Sequence, residues 1–192
     1  MDKGKLILVL GGAKSGKSRF AEKLAVNISS DVTYVATAAV LDDEMARKVA
    51  LHRASRPQHW QTIEETTNLV DVIKEHGSRT DVILIDCLTL WLSNLLLDAN
   101  NTASGISWAD KESFILSEVK KLASATVETR AAIIVVANEV SLGLIPDNRL
   151  GRAFREVAGL ANQVIADYAD EVYLIVAGIP MEIKSLAFQN LS

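Results

Sequence analysis

Eight residues near the start of the chain, Gly11-Gly12-Ala13-Lys14-Ser15-Gly16-Lys17-Ser18, constrain its fold more than any other stretch. They fit the pattern of Gly, four residues, Gly, Lys and Ser or Thr that lets a loop close its backbone N–H groups around a phosphate. The setting matters as much as the pattern. The apolar run Leu6 to Leu10 precedes the loop and a helical pattern follows from Lys17 to Asn27, so strand, loop and helix N-terminus converge on one point. Glycine leaves no side chain between backbone and ligand. Lys17 is suited to neutralise the β- and γ-phosphates, and the Ser18 hydroxyl to ligate magnesium. The same glycines also read as a loose dinucleotide fingerprint through Gly11, Ala13 and Gly16. That use requires an acid at the end of the next strand, where Thr37 and Ala38 stand. All eight residues from Gly11 to Ser18 are therefore nucleotide-binding candidates, with Lys17 catalytic.

Short apolar runs alternate with longer helical patterns along the rest of the chain, the signature of an α/β domain with a mostly parallel sheet. Five runs qualify as buried strands: Leu6 to Leu10, Val32 to Ala36, Val82 to Ile85, Ala132 to Ala137 and Val172 to Val176. Helices are expected over Lys17 to Asn27, with Phe20, Leu24 and Ile28 near one face, over Asp42 to Ala54, and over Ser113 to Ala125. The longest is expected over Arg149 to Tyr168, with Leu150, Phe154, Val157, Leu160, Ala161, Val164 and Ile165 on one stripe. Leu88 to Leu97 reads as a helix buried on most of its faces rather than an exposed partner-binding surface. Asn100 to Ser107 reads as a loop. Residues 1–192 are thus expected to form one P-loop NTPase domain of RecA-like type, its central sheet flanked by helices.

Composition narrows the partners. Lys plus Arg number 20 against 24 Asp plus Glu, a net charge of −4, which offers no global positive field for nucleic acid. No apolar run approaches the roughly 20 residues that span a bilayer. The five-residue run after Met1-Asp2-Lys3-Gly4-Lys5 is too short for a signal peptide, so a cytoplasmic location is expected. The single cysteine, Cys87, allows neither an internal disulfide nor a zinc cluster.

A phosphate loop needs a second acid for magnesium, and Asp86 ends the apolar run Val82-Ile83-Leu84-Ile85. What separates a kinase from a nucleotidyltransferase is the charged segment from Leu41 to Trp60, in which His52 stands among Arg47, Lys48, Arg53 and Arg56. A neutral imidazole can attack phosphorus while guanidinium groups hold a polyphosphate leaving group.

In this context the sequence resembles the bifunctional adenosylcobinamide kinase / adenosylcobinamide-phosphate guanylyltransferase family. The resemblance rests on Gly-Gly-Ala-Lys-Ser-Gly-Lys-Ser-Arg followed by Ala21-Glu22, on Val35-Ala36-Thr37, and on the Leu-Asp-Asp-Glu-Met-Ala segment with His52-Arg53. It extends through Arg56-Pro57, Trp60 to Glu64, Asn138-Glu139-Val140, Gly143, Pro146, Asn148-Arg149, Phe154-Arg155, Ala158-Gly159, Asn162 and Ala169 to Val172. It spans essentially residues 5 to 180.

The resemblance implies an enzyme of cobalamin assembly. Such an enzyme phosphorylates the aminopropanol hydroxyl of adenosylcobinamide with ATP or GTP. It then moves GMP from GTP onto a histidine and passes it to adenosylcobinamide phosphate, giving adenosylcobinamide-GDP. By position His52 corresponds to the guanylylated histidine. Val35, Ala36, Thr37, Arg53, Ala54, Ser55, Arg56 and Glu64 correspond to nucleotide-contacting positions, and Ser18 and Asp86 to the Mg2+ ligands. Two departures stand out: Leu51 is His in some relatives, and Asp86 is Glu in some. His59 and His76 read as structural. Glu139, after the fourth strand, is a candidate for corrinoid binding. The resemblance also implies a homotrimer. Two rival readings remain open, a P-loop enzyme keeping one of the two activities and a nucleotide-dependent regulatory switch.

Overall fold

The computed structural model describes residues 4–39, 56–98 and 107–187. The expected helix over Asp42 to Ala54, with His52, and all but the last residue of the Asn100 to Ser107 loop lie outside these residues. Seven strands form one sheet: β1 (Leu6–Gly11), β2 (Val32–Ala36), β3 (Gln61–Glu64), β4 (Val82–Asp86), β5 (Ala132–Asn138), β6 (Glu171–Val176) and β7 (Ile179–Glu182). Their order is β3-β2-β4-β5-β1-β6-β7. All neighbours pair in parallel except β6 and β7, which form an antiparallel hairpin. The phosphate-loop strand β1 therefore lies inside the sheet, and β5 separates it from β4, the RecA-like arrangement.

Five helices are described: α1 (Lys17–Ile28), α2 (Leu69–His76), α3 (Leu88–Leu97), α4 (Trp108–Val127) and α5 (Arg149–Tyr168). Side chains alternate along the buried strands, so Leu6, Leu8 and Leu10 face one core layer while Ile7 and Val9 face the other. The first layer is closed by α2, α3, α4 and α5. The second is closed by α1 together with Trp60. Parallel strands covered on both faces explain why the sequence shows continuous Val and Ile runs instead of alternation.

The five expected strands are present, several extended by one residue, and α5 runs over the expected residues. The buried helix at Leu88–Leu97 is present too. Trp91 and Leu88 are wholly inaccessible, and only Leu97 at its end is well exposed. Two stripes differ from expectation. In α1 the buried positions are Ala21 and Ala25, and Ile28 is exposed. In α5 the expected Val157, Ala161 and Ile165 are buried and Phe154 and Val164 pack against the core, but Leu150 and Leu160 stand out in solvent, and Ala153, Ala158 and Asn162 are buried in addition. Small residues let the helix backbone approach the sheet, and the larger ones flank the contact. Helix α4 starts five residues before the expected Ser113, because the Ser107 hydroxyl accepts from the Asp110 N–H at 3.1 Å and caps it. Three short elements were not expected: β3, β7 and α2, each four to eight residues long.

Candidate functional site

The phosphate loop joins β1 to α1 at the carboxyl edge of the sheet. Gly16, the residue before α1, has φ +97°, and a Cβ there would lie 3.3 Å from the Cα of Gly178. Only glycine combines that left-handed backbone with so close a neighbour. Lys14 is also left-handed, at φ +56°, the alternation that turns successive N–H groups into one concavity. No side chain caps α1, so its first N–H groups remain for an anion. The Ser15 hydroxyl is buried without a hydrogen-bond partner, and Lys17 Nζ donates to the Gly12 carbonyl at 3.2 Å.

The loop is braced from outside by the turn between β6 and β7. Ala177 and Gly178 both have positive φ, +51° and +81°, the signature of a two-residue hairpin turn. The Gly178 N–H donates to the Ser15 carbonyl at 2.8 Å. On the other flank the Glu139 N–H donates to the Gly11 carbonyl at 3.1 Å, which ties the loop to the segment leaving β5.

Asp86 ends β4, two strands from β1. At about 4.8 Å per strand that is roughly 10 Å, a gap suited to a nucleotide phosphate and a hydrated ion. The buried Tyr34 hydroxyl donates to Asp86 Oδ2 at 3.0 Å. Burial, and then the Asp86 carboxylate, push the Tyr34 phenol far above its ordinary range, which keeps it a donor. The Arg56 guanidinium lies over the Tyr34 ring, 3.3 Å from its centroid. Its Nε stands 3.7 Å from the Glu22 carboxylate on α1, with the side chain only 7% exposed. Among the described residues no group of three or more His, Cys, Asp or Glu could hold a metal ion. A hydroxyl and one carboxylate are instead the hard-oxygen set that holds magnesium jointly with phosphates and water.

The other sequence-derived candidates are spread along the sheet edge. Val35 and Ala36 are core residues facing opposite layers. Thr37 is wholly buried, its hydroxyl donating to the Cys87 carbonyl at 2.7 Å and accepting from the Cys87 N–H at 2.8 Å. Glu64 ends the edge strand β3, four strands from β1 and roughly 19 Å away across the sheet. His52, Arg53, Ala54 and Ser55 lie outside the described residues. Glu139 is half-buried, and its carboxylate accepts from the Ser141 N–H at 2.8 Å and from the Ser141 hydroxyl. Cys87 is buried and its thiol is pushed up to about 11, mainly by burial and next by Asp86, so it stays protonated and inert. Sequence reasoning missed Tyr34 and the Ala177–Gly178 brace. Tyr34 carried one available signal, a hydroxyl-bearing aromatic inside an otherwise apolar strand.

A family model for cobinamide kinase / cobinamide phosphate guanyltransferase matches residues 7–183 of the chain. The bifunctional adenosylcobalamin biosynthesis protein CobU of Escherichia coli is 42% identical over 181 residues, covering 93% of this chain and 99% of that protein. The protein of the same name from Salmonella typhimurium has the same identity and coverage. Among solved structures, the P4 protein from bacteriophage phi6 in complex with ADP aligns with a TM-score of 0.49 at 13% identity, over 93% of this chain and 54% of that one.

Proposed function

The chain belongs to the cobinamide kinase / cobinamide phosphate guanyltransferase family, and from that premise we propose how its residues divide two reactions. It is a bifunctional enzyme of adenosylcobalamin biosynthesis. In the first reaction the aminopropanol hydroxyl of adenosylcobinamide attacks the γ-phosphorus of ATP or GTP. A P–O bond forms, the bond to the β-phosphate oxygen breaks, and the hydroxyl proton is released. The loop from Gly11 to Ser18 grips the phosphates through backbone N–H groups, and Lys17 offsets the charge that spreads over the transferred group. Ser18 and Asp86 hold Mg2+, which supplies further charge neutralisation when bound.

In the second reaction a His52 imidazole nitrogen attacks the α-phosphorus of GTP. The N–P bond forms and pyrophosphate leaves, assisted by Arg53 and Arg56. An oxygen of adenosylcobinamide phosphate then attacks the same phosphorus, the N–P bond breaks, and adenosylcobinamide-GDP is released with His52 restored. Two transfers through a phosphoramidate replace one displacement between two anions.

The observation that carries this reading is the uncapped α1 N-terminus behind left-handed Gly16, at the same carboxyl edge of the sheet where Asp86 ends β4, two strands away. The test is intact-protein mass spectrometry after incubation with GTP and magnesium, on the natural chain and His52→Ala. A GMP adduct labile in acid, stable in base and absent from the variant is the expected result. Bound nucleotide without an adduct would leave a single-activity kinase or a switch. Phosphorylation of adenosylcobinamide by ATP separates those two. The reading further includes action in the cytoplasm and assembly as a homotrimer, for which light scattering should give about three times the 20.8 kDa chain mass. Glu139, beside Gly11, is assigned to the corrinoid: Glu139→Gln should raise the corrinoid KM, and an unchanged value would remove it from that role.

A further inference from the structure

Tyr34 occupies a position that core packing alone does not explain. It lies on β2, 3% exposed, in the α1-side core layer beside its register partner Leu84, where a phenylalanine would fill the same space. A buried phenol needs an acceptor, and here the acceptor is Asp86, on the neighbouring strand β4. The register pairs Ala36 with Asp86 and Tyr34 with Leu84, so the tyrosine and the acid are diagonal neighbours on the α1 face of the sheet. The same ring carries Arg56 on its face at 3.3 Å. A cation desolvated to this degree is held by the aromatic face and by Glu22 together. Arg56 stands four residues after His52, and four residues of chain reach at most about 14 Å. Seating Arg56 therefore bounds where His52 can act.

We infer that Tyr34 is a positioning residue with two separable duties: its hydroxyl orients the Asp86 carboxylate that serves the phosphate loop, and its ring seats Arg56 at the root of the guanylylation segment. This rests on the assignment of Asp86 to magnesium and of His52 to GMP transfer. It goes beyond that assignment by joining the two reactions at one side chain that touches neither substrate. The two duties use different atoms, so one substitution can remove one and keep the other.

The experiment compares Tyr34→Phe and Tyr34→Leu with the natural chain in three measurements. These are the Mg2+ dependence of binding of a fluorescent ATP analogue, the Mg2+ dependence of adenosylcobinamide phosphorylation, and the rate of GMP labelling at saturating Mg2+. Tyr34→Phe is expected to raise the half-saturating Mg2+ roughly tenfold in the first two, the size of one lost hydrogen bond to a charged group, and to leave labelling within about twofold. Tyr34→Leu is expected to show the same Mg2+ shift and to slow labelling about tenfold besides. In an Asp86→Asn background Tyr34→Phe should add nothing to the Mg2+ shift. An unchanged Mg2+ requirement in Tyr34→Phe, or parallel loss of both activities in a Tyr34→Phe chain that melts normally, would overturn the inference. If Tyr34→Leu does not fold, the Phe variant and its Asp86→Asn cycle still decide. A natural chain with neither activity would instead sink the proposed function, and the analogue-binding measurement would still decide the Asp86 duty.

Discussion

The phosphate loop and the segment from Arg56 to Trp60 lie against the same helix, α1, and serve the same proposed chemistry, yet they are held by different means. The loop is shaped by its own backbone: left-handed Lys14 and Gly16, a helix start without a cap, and main-chain bonds to Gly178 and Glu139. Arg56 is held by side chains that come from far along the chain, the Tyr34 ring and the Glu22 carboxylate, with the Tyr34 hydroxyl passed on to Asp86. A backbone device needs only the right residues in a row. A side-chain device needs the fold to be complete first. The first should therefore separate function from stability under mutation, and the second should not.

Lys17→Ala is the largest test of that difference. Among the described residues Lys17 Nζ has one hydrogen bond, a solvent-exposed one to the Gly12 carbonyl, so its removal should leave the thermal midpoint essentially unchanged. Phosphoryl transfer should fall by about 10²–10³, or about 2.7–4 kcal/mol of transition-state stabilisation. A kcat measurement beside a melting curve checks both. A large fall in the midpoint would mean that the loop depends on this lysine for its shape. Gly16→Ala comes next. It forces a Cβ into the left-handed region at 3.3 Å from Gly178, a cost of about 1–2 kcal/mol. Because the cost falls on the loop, binding of the fluorescent ATP analogue should weaken at least tenfold.

The same difference decides what the sequence could disclose. The loop was legible because its determinants are contiguous: eight residues, a Val- and Leu-rich run before them and a helical pattern after. Asp86 was legible for the same reason, as an acid ending an apolar run. The strands were legible because sheets covered on both faces demand unbroken apolar runs. Strands β3 and β7 were not. Their four residues carry Gln61, Glu64, Pro180 and Glu182 at the open edges of the sheet, where one face needs no apolar residue. Tyr34 escaped because its partners, Arg56 and Asp86, are 22 and 52 positions away, a distance no spacing rule spans. The α5 stripe was legible at Val157, Ala161 and Ile165 and misdrawn only at its flanks: Leu150 and Leu160 were taken as core and are exposed, while Ala153, Ala158 and Asn162 are buried in their place.

Arg56→Lys sharpens the side-chain half of the comparison. The substitution keeps the charge and removes the flat guanidinium that stacks on Tyr34. The loss should be about 1 kcal/mol of stability, together with a several-fold slower GMP labelling of His52. Stability and labelling should fall together here, in contrast to Lys17→Ala. Slower labelling with an unchanged midpoint would mean that Arg56 contacts nucleotide without supporting the fold, and the contrast with the loop would fail.

Glu65 gives the smallest effect and a pH dependence of defined sign. It follows β3, and its carboxylate accepts from the N–H groups of Thr67 at 2.7 Å and Asn68 at 2.8 Å. The Asn68 side chain forms no capping hydrogen bond at the start of α2, so Glu65 satisfies donors at that end. Partial burial raises its pKa, but the hydrogen bonds from Asn68 and Thr67 outweigh it and hold the carboxyl below its ordinary value of 4.5. A carboxyl with a depressed folded pKa contributes stability that is fully present above the unfolded value and is lost as pH falls through the folded one. Glu65→Gln should therefore lower the thermal midpoint slightly at neutral pH, by an amount equivalent to about 1 kcal/mol or less for a solvent-screened group. The gap should close below pH 4.5 as the natural residue becomes protonated. A gap that persists unchanged into acid would mean that Glu65 acts by packing and not by charge. The start of α2 would then depend on side-chain fit, as Arg56 does, and not on hydrogen bonds to main-chain N–H groups.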